Sequence, residues 1–240
     1  MQRMADEEWD DREAHGIGEI IRRLPKYFTL CCMSCRNSGK SVLISQLVRE
    51  LRKLKKVDLV LVMSGTAGLT SDWDFLPANT VMSFSEEMLG RIARKQDSDV
   101  EAWKHPEEGR EKPKKPKHVL LVLDDCLSTP EALQSHVISS TFSLGRHRMM
   151  SCIVISQLTT KFPSPTLKQN TDMILWSRLN LRSLENLWYS TTNISKKDFL
   201  KVSQTLGGVN FNFMLLDLYN RASRDPMDTL TVVRADPPGK

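Results

Sequence analysis

Eight consecutive residues, Ser34-Cys35-Arg36-Asn37-Ser38-Gly39-Lys40-Ser41, carry the groups needed to hold a polyphosphate. Their spacing fits the P-loop pattern G-x-x-x-x-G-K-[ST], except that Ser34 stands where the first glycine is expected. In such a loop, backbone N–H groups converge on an anion at the start of a helix. Gly39 lets the backbone come close, Lys40 sets a positive charge between the β- and γ-phosphates of ATP, and Ser41 offers a hydroxyl to Mg2+. Arg36, Asn37, Ser38 and Val42 complete the predicted cradle. The first glycine mainly eases the exit from the preceding strand. A small serine can do the same if its backbone angles stay in the ordinary region.

The second constellation is Asp124 and Asp125, at the end of "HVLLVLDDC". Two adjacent acids at the end of a buried strand repel one another and cost desolvation, so a purely structural role is disfavoured. Placed opposite a phosphate loop, the first is predicted to hold Mg2+ and the second to polarise an attacking water. The third is "GRHRMMSCIVISQ". Gln157, at the end of its apolar run, is placed to orient water or sense the γ-phosphate. Arg146 and Arg148, before the run, are candidates for a charge supplied to a neighbouring subunit, with Arg146 preferred.

These groups need a scaffold that brings distant segments to one edge. "YFTLCCMS", "VDLVLVMSG", "VLLVLDD", "MMSCIVISQ" and "TDMILWSRL" read as strands. They are apolar without alternation, as strands covered on both faces are. Between them, residues 39–56 predict a helix with Leu43, Leu47, Leu51 and Leu54 on one stripe. Residues 83–96 predict a short helix capped by Ser83 or Ser85, and 129–145 one framed by Pro130 and Gly145. Two further helices are expected around "SLENLWYSTT" and between Ser195 and Gly207, and a closing strand pair at "NFNFMLLDLY" and "TLTVVRA". The alternation predicts an α/β fold, a P-loop NTPase with a mostly parallel, doubly wound sheet and helices on both faces.

At 240 residues, one domain over 25–240 is the simplest account, after a flexible lead-in over 1–24. The acidic start, "MQRMADEEWDDREAH", does not fit a secretory signal, and no apolar run approaches the ~20 residues of a membrane span. The stretch 97–117 is charged, rich in proline and poor in aliphatics, and reads as a mobile loop. A formal charge of +5 leans toward an anionic partner. Five cysteines, an odd number placed mostly in apolar runs, fit reduced thiols. Cys32-x-x-Cys35 has no second pair at zinc spacing, so buried thiols are the better reading.

Taken together, "RNSGKSVLI", "VLLVLDD", "GRHRMMSCIVISQ" and "LVMSGTAGLTSDW" resemble the genome-packaging ATPases of large double-stranded DNA viruses, within the FtsK–HerA group of P-loop motors. The resemblance spans roughly residues 27 to 180. It implies ATP and Mg2+ at Gly39, Lys40 and Ser41, metal at Asp124, a water-activating base at Asp125, a sensor at Gln157 and a trans-acting finger at Arg146. Asp125 stands where many members carry Glu. The resemblance also implies a homo-oligomeric ring, double-stranded DNA and a capsid or portal component as partners, and action in the host cytoplasm or nucleus, or in the virion. Arg110, Lys112, Lys114, Lys115 and Lys117 are the candidate DNA contacts. A nucleotide or small-molecule kinase of the same fold, and a non-hydrolysing ATP-binding module, are the alternatives.

Overall fold

The computed structural model describes residues 14–65, 71–108, 111–126, 135–157, 165–191, 194–207, 211–219 and 226–235. The predicted apolar runs become strands of one eight-stranded sheet. They are β1 (Thr29–Ser34), β2 (Leu59–Ser64), β3 (Val81–Met82), β4 (Val119–Asp124), β5 (Met150–Ser156), β6 (Met173–Ser177), β7 (Asn212–Asp217) and β8 (Leu230–Arg234). Their spatial order is β3-β2-β4-β5-β1-β6-β7-β8. The first six strands pair in parallel, and β7 and β8 are the expected antiparallel closing pair.

Successive residues of β1 point to opposite faces, and each face has its own core. Leu30 and Cys32 pack below α1 (Ile17–Arg23) and α2 (Lys40–Lys53). Cys31 and Met33 pack against the other layer. That layer holds α3 (Glu86–Lys104), α4 (His136–Leu144), α5 (Pro165–Gln169), α6 (Leu181–Thr191) and α7 (Lys196–Leu206). Because both faces are covered, β1, β4, β5 and β6 are buried along their whole length. The predicted stripe on α2 holds for Leu43, Leu47 and Leu51, which are at most 1% exposed, whereas Leu54 lies past the helix end and is exposed. Each such burial is worth about 1.5–3 kcal/mol relative to exposure.

Three helices start on a serine whose hydroxyl accepts a backbone N–H, which is how helix N-termini are ordinarily satisfied. Ser85 caps α3, Ser135 caps α4 and Ser195 caps α7. Ser135 also donates to Glu86 at 2.6 Å and so ties α4 to α3.

Two expectations need correcting. The stretch before residue 25 is not a free lead-in from residue 15 on. His15 bridges to Val233, with its N–H donating to Val232 at 2.9 Å, and Ile17, Ile20 and Ile21 of α1 enter the core. Residues 1–13 lie outside the described residues. The short helix expected over 83–96 runs on to Lys104, into the stretch read as a loop. Leu89, Ala93, Gln96 and Val100 keep one buried face, and pairs such as Arg91–Glu87 line the exposed one. The Gln96 amide donates to the carbonyls of Lys117 and Arg148, both at 3.0 Å. The helix is thereby fixed to the segments that enter β4 and β5. For the predicted helix over 129–145, the described part is His136–Leu144, and 127–134 lie outside the described residues.

Candidate nucleotide site

The loop from Cys35 to Gly39 leaves the C-terminal end of β1 and turns into α2. Asn37 and Gly39 take left-handed backbone angles, φ 55° and 88°. Two such reversals curl successive N–H groups toward one point. Ser34, the residue in place of glycine, keeps ordinary angles, is fully buried, and donates to the Ser177 carbonyl at 2.5 Å. The substitution therefore ties β1 to the end of β6 and leaves the loop conformation intact.

Unlike α3, α4 and α7, α2 has no side-chain cap, and its first turn carries no acid. Its free N–H groups and positive dipole end face the loop. Lys40 is only 7% exposed, and its Nζ donates to the Cys35 carbonyl at 2.9 Å, across the mouth of the loop. Ser38 Oγ is buried and has no hydrogen-bond partner among the described residues. An unpaired buried hydroxyl costs about 1–3 kcal/mol. A phosphate oxygen in the curl would satisfy it, so the residues present fit the anion. Ser41 and Val42 are half-buried at the first turn of α2, while Arg36 and Asn37 are exposed.

β5 lies between β1 and β4, so Gln157 at its end stands between the loop and the two acids. Gln157 Nε2 donates to Asp125 Oδ2, and Gln157 Oε1 accepts from Arg36 Nε at 3.2 Å. An unbroken chain thus runs from the phosphate loop through Gln157 to the carboxylate predicted to handle water. Asp125 is itself left-handed, φ 50°, and its N–H donates to Ile155 at 3.0 Å. Of the seven described residues with positive φ, five (Asn37, Gly39, Asp125, Arg178 and Phe211) lie at this edge of the sheet. Such backbone strain collects at functional sites.

Asp124 is 6% exposed and accepts from Trp73 Nε1 at 3.0 Å through Oδ2. Burial pushes its carboxyl above the usual range. The indole bond pulls it back, the charges of Asp125 and Asp72 push it further up, and the Lys40 ammonium opposes them. Cys32, beneath the loop, reports the same grouping. Burial drives its thiol up to about 12, while Lys40 lowers it and Asp124 and Asp125 raise it. Lys40, Asp124 and Asp125 therefore share one electrostatic neighbourhood. No cluster of three or more His, Cys, Asp or Glu among the described residues could hold a metal alone. Mg2+ needs no such cluster, since it takes one or two protein ligands and completes its shell with phosphate oxygens and water. Ser41 and Asp124 are the residues that fit it.

The remaining predicted residues lie elsewhere. Arg146 and Arg148 sit in the turn before β5, at the strands' opposite edge, ~20 Å away for strands of this length. Arg148 is bound within the fold, with Nε 2.8 Å from Asp97 and Nη1 3.3 Å from the Ser140 hydroxyl. Arg146 is the more exposed of the two, with Nη2 3.5 Å from Asp172. Lys112, Lys114, Lys115 and Lys117 are exposed on the segment entering β4, again at that far edge, and Arg110 lies outside the described residues. Spacing gave no signal for Trp73 or Phe211, because both reach the site through tertiary contact alone.

No protein-family model matches the sequence, and no curated protein matches it either. Solved structures do. The genome packaging NTPase B204 from Sulfolobus turreted icosahedral virus 2, in complex with ATP-gammaS, superposes with a TM-score of 0.60 at 14% identity, over 88% of this chain and 98% of that one. B204, the DNA-packaging ATPase from Sulfolobus turreted icosahedral virus, gives 0.60 at 13% identity, over 89% and 99%. The cytoplasmic domain of the type VII secretion ATPase EccC of Thermomonospora curvata gives 0.53 at 18% identity, over 86% of this chain and 25% of that one. At these identities the likeness is one of fold, and the P-loop NTPase fold expected from the sequence motifs is the one these proteins share.

Proposed function

We propose that the chain hydrolyses ATP in a homo-oligomeric ring and uses the energy to move double-stranded DNA, packaging a viral genome into a preformed capsid. The observation that carries the hydrolytic part is the convergence of Lys40, Asp124 and Asp125 on one edge, with Gln157 between them. The N–H groups of the loop, the Ser38 hydroxyl and the Lys40 ammonium hold the phosphates, with Lys40 exchanging the Cys35 carbonyl for phosphate oxygen. Ser41 and Asp124 would hold Mg2+, which would supply positive charge against the phosphates. Asp125 takes the proton from a water whose oxygen bonds to the γ-phosphorus as the bond to the bridging oxygen breaks, the electron pair leaving with ADP. Gln157 orients that water. Arg146 acts on the neighbouring subunit's site, since its own Lys40 is out of reach.

The DNA-moving part is supported by the shared fold with B204 and by the exposed lysines of 112–117. The capsid or portal partner, and action where virions assemble, belong to the same proposal. The test is ATP hydrolysis by the parent, Lys40→Ala and Asp125→Asn, with and without linear duplex DNA, with particle mass measured on the same samples. The parent is expected to turn over faster with DNA when assembled, and both variants to fall to background. Absence of turnover in the parent would make the chain a binding module. Phosphate transfer to a small acceptor, with no response to DNA, would make it a kinase.

A further inference from the structure

The acids and Gln157 lie on the β4–β5 side of β1. A nucleotide whose terminal phosphate faces them must extend its nucleoside in the opposite direction, over β6 and β7. The antiparallel pairing of those strands, Trp176 opposite Met214, sets the residue after β6 beside the residue before β7. These are Arg178 and Phe211. A ladder of hydrogen bonds fixes both to the start of the phosphate loop. Ser34 donates to the Ser177 carbonyl, and Ser177 Oγ donates to the Asn212 carbonyl at 2.8 Å.

Phe211 reaches the loop itself. A methyl group on Gly39 would lie 3.2 Å from its Cδ1, so the ring rests against the turn of the cradle. Yet 53% of Phe211 is exposed. The residue is held in the left-handed region at φ 61°, an uncommon conformation for a bulky side chain, and so is Arg178 at φ 48°. The Arg178 guanidinium lies over the ring, 5.9 Å from its centroid. An aromatic residue left half exposed, held by a strained backbone beside a phosphate cradle, offers a surface on which a flat base can stack.

We propose that Phe211, with Arg178 over its ring, forms the stacking platform for the purine base of the bound nucleotide. The inference rests on the reading of Gly39–Ser41 as a nucleotide site and adds where the base goes. Stacking recognises a π-face, so the platform separates nucleotides from bare polyphosphate.

The test is the affinity of the parent, Phe211→Leu, Phe211→Trp and Lys40→Ala for two probes, ADP and inorganic pyrophosphate, each with Mg2+. Leucine keeps the bulk and loses the ring. ADP binding is expected to weaken about five- to 150-fold in Phe211→Leu while pyrophosphate binding stays within about twofold. Phe211→Trp is expected to bind ADP as the parent does, and Lys40→Ala to lose both probes. Equal loss of both probes in Phe211→Leu would make the ring a support of the loop and overturn the proposal, as would unchanged ADP binding. A parent that binds ADP no better than pyrophosphate overturns it as well, with the phosphate site intact. A parent that binds neither probe overturns the nucleotide reading itself. Photolabelling the unaltered chain with 8-azido-ADP gives a readout free of folding effects. Label on the peptide carrying Phe211 or Arg178 is expected, and label confined elsewhere refutes the platform.

Discussion

Replacing Trp73 by phenylalanine isolates one hydrogen bond. The indole Nε1 donates to Asp124 Oδ2 at 3.0 Å, with both side chains nearly excluded from water. Phenylalanine keeps much of the ring and removes the donor. A hydrogen bond to a charged group is worth about 1.5–3 kcal/mol, and one to a neutral group about half that. Asp124 has a folded-state pKa raised above its unfolded value, burial being the largest cause. Between those two values the native state binds more protons than the unfolded chain, so this carboxyl costs stability as pH rises through the folded pKa. The indole bond lowers that pKa and so limits the cost. Because the shift is upward, the carboxyl takes up its proton earlier on acidification than a free Asp does, and Trp73→Phe is expected to lose more stability at pH 7 than at pH 4. The difference is about 1 kcal/mol, or about 2–4 °C in Tm for a chain of this size. Thermal unfolding of parent and variant at both pH values, in EDTA and without nucleotide, measures it. Equal destabilisation at the two pH values would refute the reasoning and reduce Trp73 to packing.

Arg36→Ala breaks the chain from the loop to Asp125 at an exposed residue. Turnover is expected to fall about 10- to 100-fold, as when a residue that orients a reacting group is lost, with Tm within about 2 °C of the parent. Steady-state hydrolysis and a melt decide it. Arg148→Ala opens a half-exposed ion pair with Asp97 and the bond to Ser140, and is expected to lower Tm by about 2–4 °C, about 1 kcal/mol, whereas Arg146→Ala leaves Tm nearly unchanged and lowers turnover of the assembled protein. Adding excess Arg146→Ala, Lys40→Ala double mutant to the parent is expected to poison turnover if Arg146 acts between subunits. Charge reversal at Lys112 and Lys114 is expected to flatten the salt dependence of duplex binding by about two counterions and to leave hydrolysis without DNA intact. An unchanged slope in a salt titration removes these lysines from the DNA surface.

The sheet and α2 were legible because their signals are local: continuous apolar runs for strands buried on two faces, and a leucine stripe for the helix over β1. Lys40, Asp124, Asp125 and Gln157 were legible because each sits at the end of such a run, and parallel strands align their ends. What escaped depends on contacts between segments far apart in the chain. Asp97, Ser98 and Asp99 are weak helix formers, and the turn they occupy is held by the Gln96 amide bridging two other segments. Trp73 and Phe211 touch the site from loops whose local pattern says nothing about where they end up. Ser34 was legible as a departure from the motif, while its bond to the end of β6 was not.

The two edges of the sheet bear on how subunits would meet. The phosphate loop and the acids occupy the C-terminal edge, and Arg146 the N-terminal one. A finger on that edge requires a head-to-tail contact, in which one subunit's N-terminal edge faces the next one's C-terminal edge; this is the heterologous arrangement that closes into a ring. The basic segment shares the finger's edge, because Gln96 bonds both Lys117 and the turn that ends in Arg148. In the proposed ring, an edge that turns Arg146 toward a neighbour would carry Lys117, held beside that turn by Gln96, toward the same junction. Lys112 and Lys114, farther from β4, are not so bound. In the proposed motor, DNA contact would then fall to Lys112 and Lys114. In the proposed ring, the positive charge on that edge would face the edge that carries the neighbour's Asp124 and Asp125.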